Sequence, residues 1–589
     1  MIRLLKYIKG KYWVYIGLIV MFVTAQVFCD LAMPDFLKQI MTEASNTLMP
    51  GITEVAKNEA IKNIWINGGI MLGISVASLV CVIIVAFLAS KVAAEFSYQL
   101  RHQMYKKVEE FSMSEIDKFS TSSLLTRTTN DITQVQMVTV MVLRMALAAP
   151  VFSIYGIVKA VSIQGAAELS NIVIFSIVAL VLLVVVVFLI VLPKFNKIQA
   201  LTDRLNLVAR ENLTGLRVVR ANNAQELEEN KFNEANTNIT KNNIFVNRTL
   251  SLFQPGISML LNFTSLAILW IGALLTFDNP SLLPSVFTFQ QYTMMIVMGF
   301  MSLTMIMIMI PRGVVSARRI NEVLNTEVII KDHTDEKQNT DVKGSIEFKN
   351  VTFSYNDGEE PVLDNISFSI SRGQTLAIIG GTGSGKSTLI NLIPRFFDVT
   401  SGEVLVDGIN VKNYSQSDLR DRIGFVPQKA NLFKGTIRSN LAFGEDNPTD
   451  EEIKEALDIA SSSEFVNKIG YDASVSQGGT NFSGGQKQRL CIARAIIKKP
   501  EILVFDDSFS ALDLKTDKAI REALKEHTKD TTNVIVAQRI STIMSADKII
   551  VLDDGKIVGY GTHKELLQSC EVYQEIANSQ MSKEELENA

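Results

Sequence analysis

The chain has 589 residues, a formal net charge of −4 and 20% charged residues, yet 47% of it is hydrophobic. That length exceeds one domain, and a positive mean hydropathy beside an ordinary share of charges fits an apolar membrane part fused to a soluble part. The near-neutral charge gives no reason to invoke nucleic acid as a partner. Cys29, Cys81, Cys491 and Cys570 have no metal-ligand or disulfide-framework spacing and read as packing residues.

In chain order, residues 1–11 are basic, and the apolar run after them lacks a small-residue cleavage site, so no cleavable signal is expected. Apolar blocks follow at 13–31, 64–89, 137–161, 172–192, 252–277 and 283–310, each meeting the ~20 residues that a bilayer requires. Six spans return both ends of the membrane domain to one side. Arg3, Lys6, Lys9 and Lys11 assign that side to the cytoplasm. The stretches 91–131 and 194–247 are long, charged and helix-compatible, and would lie on the same side; Gly215 interrupts the second as a turn would. They read either as docking elements or as solvated charged faces. Arg144 falls in the third span, where a charge costs about 2.5–3.5 kcal/mol on insertion scales. It either lines a polar cavity or snorkels to the inner leaflet. The sixth span carries Met294, Met295, Met298, Met301, Met305, Met307 and Met309. Most are expected to fill space between helices, with a subset facing a cavity. A polar stretch at 325–343 reads as a linker between a membrane domain, 1–324, and a soluble domain, 344–589. The latter is long enough for one α/β domain with a buried core.

The soluble domain carries the chemistry. An apolar run at 375–379 is followed by Gly380, Gly381, Thr382, Gly383, Ser384, Gly385, Lys386, Ser387 and Thr388, then by helix-compatible residues. This is the context of a phosphate loop. Glycines let backbone N–H groups turn inward around phosphate oxygens, Lys386 reaches the β- and γ-phosphates, and the Ser387 hydroxyl can sit on Mg²⁺. Downstream, four apolar residues end at Asp506, a carboxylate where a parallel strand would deliver it to the same metal. Between the two lie Phe482, Ser483, Gly484, Gly485 and Gln486, read as an anion-binding helix start or as a plain helix cap. Tyr355 is an aromatic suited to stacking on adenine, or simply a strand residue. One nucleotide seldom needs two phosphate-binding helix ends, so the second is best explained by a nucleotide held on another copy of the domain.

With these motifs in order, the chain resembles ATP-binding-cassette exporters of the half-transporter type. The resemblance rests on Tyr355, the phosphate loop 380–388, the glutamine loop at Gln428, the signature 482–486, Asp506 and the loop 510–513. It implies a multidomain fold: an all-α domain of six transmembrane helices with long cytoplasmic extensions, then an α/β P-loop domain. It further implies ATP and Mg²⁺ as ligands, with Ser387, Gln428 and Asp506 at the metal. Two such domains would meet head to tail, each ATP lying between one phosphate loop and the other signature. The cytoplasmic loops resemble coupling helices near 113–119 and 212–219. Export of hydrophobic or amphipathic compounds from a bacterial inner membrane is the implied activity, and translocation of lipid or peptide, or an ATP-gated regulatory or channel-like subunit, the alternatives.

Two positions depart from the family. The glutamate expected after Asp506 is Asp507, one methylene shorter, and the expected switch histidine is Gln538. A misplacement of ~1 Å can cost ~10²-fold, and glutamine carries no proton at neutral pH. The segment 473–479 also lacks the acidic residues usual there. An intact signature beside degenerate catalytic positions implies one half of a heterodimer, paired with a homologous but non-identical half-transporter.

Overall fold

The computed structural model describes residues 2–47, 53–146, 148–163, 166–332, 338, 342–355, 358, 360–445 and 447–581. They form two compact units: 1–107 with 122–325, and 108–121 with 326–589.

The described elements of the first unit are all helices. Among the described residues, six helical segments are long and apolar enough to cross a membrane: Gly10–Thr47, Glu54–Glu109, Thr121–Val161, Leu169–Lys194, Gln225–Phe277 and Pro280–Asn325. Each covers one of the apolar blocks read from the sequence. The helix Glu54–Glu109 has 56 residues. At 1.5 Å per residue it is about 84 Å long, against roughly 30 Å of hydrocarbon, so much of it must project beyond a bilayer. Phe175, Leu182 and Leu189 are exposed on the fourth span, the pattern of a face turned to lipid.

Several polar groups inside this unit are paired with one another, as a low-dielectric surrounding favours. Ser176 Oγ and Thr264 Oγ1 lie 2.7 Å apart between the fourth and fifth spans. Asp35 on the first span accepts from Lys159 Nζ at 2.6 Å and from the fully buried Tyr292 hydroxyl at 2.8 Å. Asp30 accepts from Ser78 Oγ at 2.6 Å. The long helix Ala166–Thr214 stops at Gly215, and a short helix, Leu216–Ala221, follows.

Among the described residues the second unit has twelve strands: β1 (Ile346–Phe353), β2 (Leu363–Ile370), β3 (Thr375–Gly380), β4 (Ser401–Val406), β5 (Ile409–Asn410), β6 (Ile423–Val426), β7 (Gly435–Thr436), β8 (Ser474–Val475), β9 (Ile502–Asp506), β10 (Thr532–Val536), β11 (Lys548–Asp553) and β12 (Lys556–Gly561). Six of them form a sheet in the order β12-β11-β3-β10-β9-β6, parallel except for β12. A second, antiparallel sheet runs β2-β1-β4-β5. One core joins alternate residues of the two sheets, among them Phe348, Phe368, Ile378 and Val504. Another packs Leu503, Phe505 and Ile535 against helices. β9 and β10 are buried on both faces, which is why β9 reads as an apolar run up to Asp506 and β10 as one from Val534 to Val536.

Two segments outside the strands are tied into this unit. Ser112 caps the helix Met113–Phe119, and Glu115 closes the box while its other oxygen accepts the Ile329 N–H at 3.0 Å. The stretch read as a linker is anchored at its described residues. Asp332 accepts from the Gln416 N–H at 3.0 Å, and the Gln338 N–H donates to Asp418 at 2.8 Å.

The Asp35 cluster gives a stability test. Asp35→Asn leaves Tyr292 an acceptor but strands the Lys159 cation. Both charged side chains are about a third exposed, so the expected loss is ~1–2 kcal/mol. A lowered thermal midpoint in detergent checks it, and Lys159→Met on the same background should restore part of the loss.

Candidate nucleotide site

Strand register assembles the site. Ile378 of β3 pairs with Val536 of β10, Val536 with Asp506 of β9, and Phe505 with Val426 of β6. Four adjacent parallel strands therefore end together, and their loops leave from one edge. β3 delivers the phosphate loop, β9 delivers Asp506 and Asp507, β10 leads to Gln538, and β6 leads to Gln428.

The phosphate loop runs from Gly380 into the helix Lys386–Asn391. A Cβ at Gly380 would come within 2.0 Å of the Leu552 carbonyl, so only glycine lets the loop leave the strand there. At Gly381 and Gly383 a Cβ would meet nothing within 4 Å, and Thr382 between them is exposed. The cradle is thus closed against the sheet and open on the face where phosphate oxygens would enter, as an anion nest requires. Lys386 Nζ donates to the Gly380 carbonyl at 3.0 Å and to the Gly381 carbonyl at 2.5 Å; Ser384 Oγ lies 3.4 Å away. Burial pushes the lysine below its ordinary range, while Asp507 and Asp506 pull the other way.

Ser387 Oγ donates to Asp506 Oδ1 at 2.9 Å. Burial raises the Asp506 carboxyl above the usual carboxylate range, against the Ser387 hydrogen bond. Among the described residues no three His, Cys, Asp or Glu side chains cluster at metal-binding spacing. A hydroxyl beside one carboxylate suits a hard cation that completes its shell with phosphate and water.

Asp507 adopts a left-handed backbone, φ 46°, uncommon for a side chain other than glycine. Its carboxylate Oδ2 accepts from Gln538 Nε2 at 2.8 Å and, at the 3.5 Å limit, from Gln428 Nε2. The three positions singled out from the sequence meet at one oxygen. Burial raises this carboxyl, and the amide hydrogen bonds lower it. Tyr355 is held edge-on to Phe353 and Phe397, and its hydroxyl lies 3.0 Å from Thr388 Oγ1.

The signature residues stand apart from these groups. Ser483 caps the helix Gly484–Ile496, and Gln486 closes the box by accepting the Ser483 N–H at 2.9 Å. Phe482 packs near Phe465. Among the described residues no hydrogen bond joins 482–486 to the phosphate loop.

One residue was not legible in the sequence. Gln580, at the end of the helix Glu571–Gln580, clips the backbone around Gln538. Its Nε2 donates to the Gln538 carbonyl and its Oε1 accepts the Ile540 N–H, both at 2.8 Å. No local pattern links residues 42 positions apart.

A family model of the ABC transporter matches residues 363–510, and one of the ABC transporter transmembrane region matches 16–301. The chain belongs to the ABC transporters. It joins one transmembrane region to one ATP-binding domain, the layout of an exporter half-transporter. An uncharacterized ABC transporter ATP-binding protein of Mycobacterium tuberculosis is 40% identical over 517 residues, 87% of this chain and 88% of that protein. The ATP-dependent lipid A-core flippase of Haemophilus influenzae is 33% identical over 497 residues, 82% of each chain. A solved bacterial Atm1-family ABC exporter with ATP bound shares the fold, with 22% identity, 97% of this chain and 98% of that chain covered, and a TM-score of 0.78. This ABC transporter is accordingly a multi-pass membrane protein with an ATP-binding domain.

Two measurements test the site. Because burial raises Asp507, its folded form binds protons more readily than the unfolded chain, so the ionised carboxylate costs stability at neutral pH. Asp507→Asn, whose oxygen still accepts from Gln538, should therefore raise the thermal midpoint of the transporter at pH 7. The advantage should vanish as pH falls below about 4, where the unfolded carboxyl is protonated too, and thermal midpoints against pH check it. Gln580→Ala removes two hydrogen bonds, each worth about 0.5–1.5 kcal/mol. Amide exchange at Ile540 should then rise about tenfold, with distant strands unchanged.

Proposed function

We propose that this chain is one half of a heterodimeric exporter with two unequal ATP sites. Its own Walker residues bind ATP with little hydrolysis, and its signature completes the working site of a homologous, non-identical partner. The observation that carries this reading is the 2.8 Å hydrogen bond from Gln538 to Asp507. A catalytic base must offer a free lone pair to the attacking water. Here the short acid has one oxygen engaged by amide donors, and neither glutamine can take up the proton. Loss of a general base costs ~10²–10⁴-fold in rate. The signature keeps Ser483, Gly484, Gly485 and Gln486 on a capped helix, which supports a role toward a second nucleotide.

Within its own site, the loop from Gly380 to Thr388 cradles the phosphates, Lys386 neutralises them, and Tyr355 flanks the base. Mg²⁺ fits Ser387, Asp506 and Gln428, where it would offset phosphate charge. The soluble domain, 344–589, and both termini lie in the cytoplasm on this reading, from the basic start of the chain. The membrane domain, 1–324, exports hydrophobic or amphipathic compounds. A lipid translocator with the same engine is the second reading, favoured by the similarity to a lipid A-core flippase.

ATPase activity of the purified chain, alone and with its partner, decides the matter. Turnover alone should fall at least ~10²-fold below that of the complex. In the complex, Asp507→Glu should change turnover by no more than a few-fold. An ordinary exporter rate from this chain alone would end the two-site reading.

A further inference from the structure

The membrane unit has an open cavity of about 590 Å³. That is the size of a site for a drug-sized ligand. Its wall is apolar and adaptable, built from Phe152 and from methionines of two helices, among them Met141 and Met298. Three polar side chains interrupt it: Gln26, Arg144 and Ser302. Two are already committed. Gln26 Nε2 donates to Asp30 at 3.4 Å, and Ser302 Oγ donates to the Met298 carbonyl at 3.0 Å.

Arg144 differs. Among the described residues its guanidinium makes no hydrogen bond and no ion pair, and the side chain is exposed to the cavity. The carboxylates of the first span do not serve it. Asp30 is taken by Ser78 and Gln26, and Asp35 by Lys159 and Tyr292. A guanidinium at membrane depth costs about 2.5–3.5 kcal/mol. A planar fork of donors in an apolar wall is matched best by a carboxylate, sulfate or phosphate, which it can grip with two parallel hydrogen bonds.

We infer that this cavity binds an amphiphile with one anionic head group, the head on Arg144 and the tail along the methionines. The inference rests on the exporter reading and narrows its substrate class. The occupant is a dissolved amphiphile in transit rather than a resident bilayer lipid. A cationic compound of the same length meets the guanidinium with like charge and is rejected.

The test uses the transporter purified with its co-purifying partner, in vesicles of phosphatidylcholine without ATP. Two fluorescent probes share a twelve-carbon tail; one ends in a carboxylate, the other in a trimethylammonium. Wild type should bind the carboxylate at least ~10-fold more tightly. Arg144→Gln should weaken the carboxylate ~10-fold and leave the cation unchanged or tighter. Arg144→Lys, which keeps the charge and loses the fork, should fall between. Equal affinities for the two probes in wild type overturn the inference even if both variants fail to assemble. So does unchanged carboxylate binding in Arg144→Gln. Displacement of the probe by phosphatidylglycerol at bilayer levels would assign the site to a lipid and also overturn it. Binding is read without ATP, so its failure leaves the exporter reading intact. That reading fails separately, on the ATPase comparison of the chain alone and with its partner.

Discussion

The parallel pairing of β3, β10, β9 and β6 is the constraint on which the nucleotide site depends. Each strand brings one group to the shared edge, and the spacing between groups is the spacing between strands. A slip of one residue in β9 would turn Asp506 to the other face of the sheet and separate it from Ser387. The slip is resisted on both sides at once. Val504 and Ile502 are buried toward the antiparallel sheet, and Leu503 and Phe505 toward the helices. The edge is therefore precise because β9 beneath it has no polar face to exchange.

Much of this was legible in the sequence because it is local. The phosphate loop declares itself within nine residues, by glycines and a lysine between an apolar run and a helix. Asp506 declares itself as the first carboxylate after four buried residues. Asp507 and Gln538 could be flagged one at a time as unusual, but their hydrogen bond needs β10 beside β9. Gln580 carries no signal, since an amide near the end of a surface helix looks like any other. The same holds for the stretch read as a linker. Its polar composition fits a free tether, yet Asp332 and Gln338 spend that polarity on partners 80 or more positions away. The cytoplasmic element expected at 212–219 is divided by its own glycine. The Gly215 N–H still bonds to Glu211, so 212–214 finish the long helix, and the Gly215 carbonyl accepts from Val218 and Val219 to start the next.

In the membrane unit, polarity is the scarce quantity that reveals function. Apolar residues there satisfy length and lipid contact, and their identity says little. Each polar group needs a reason, because water is not at hand to solvate it. Asp35, Lys159 and Tyr292 give one another that reason, as do Ser176 and Thr264, and Asp30 with Ser78. These contacts join the first span to the second, third and sixth, and the fourth to the fifth. They specify which helices touch in a medium where apolar surfaces alone discriminate poorly.

The nucleotide site raises the opposite question, of why so much charge is kept. Asp506 and Asp507 are both buried at a position meant for a polyanion. Left bare, they would repel the phosphates that Lys386 attracts. Ser387 donates to one and two amides to the other, so each carboxylate is screened by a neutral donor before a nucleotide enters. Such donors favour the ionised form, although burial still leaves both carboxyls above their ordinary range. A histidine at position 538 could screen the acid and also exchange a proton. Glutamine keeps the screening and loses the exchange. On the two-site reading proposed above, an amide there, beside an acid shortened by one methylene, would separate two tasks that usually share a site. Holding a triphosphate in place requires only fixed dipoles and charges; cleaving it also requires a group that can change its protonation at the moment of attack.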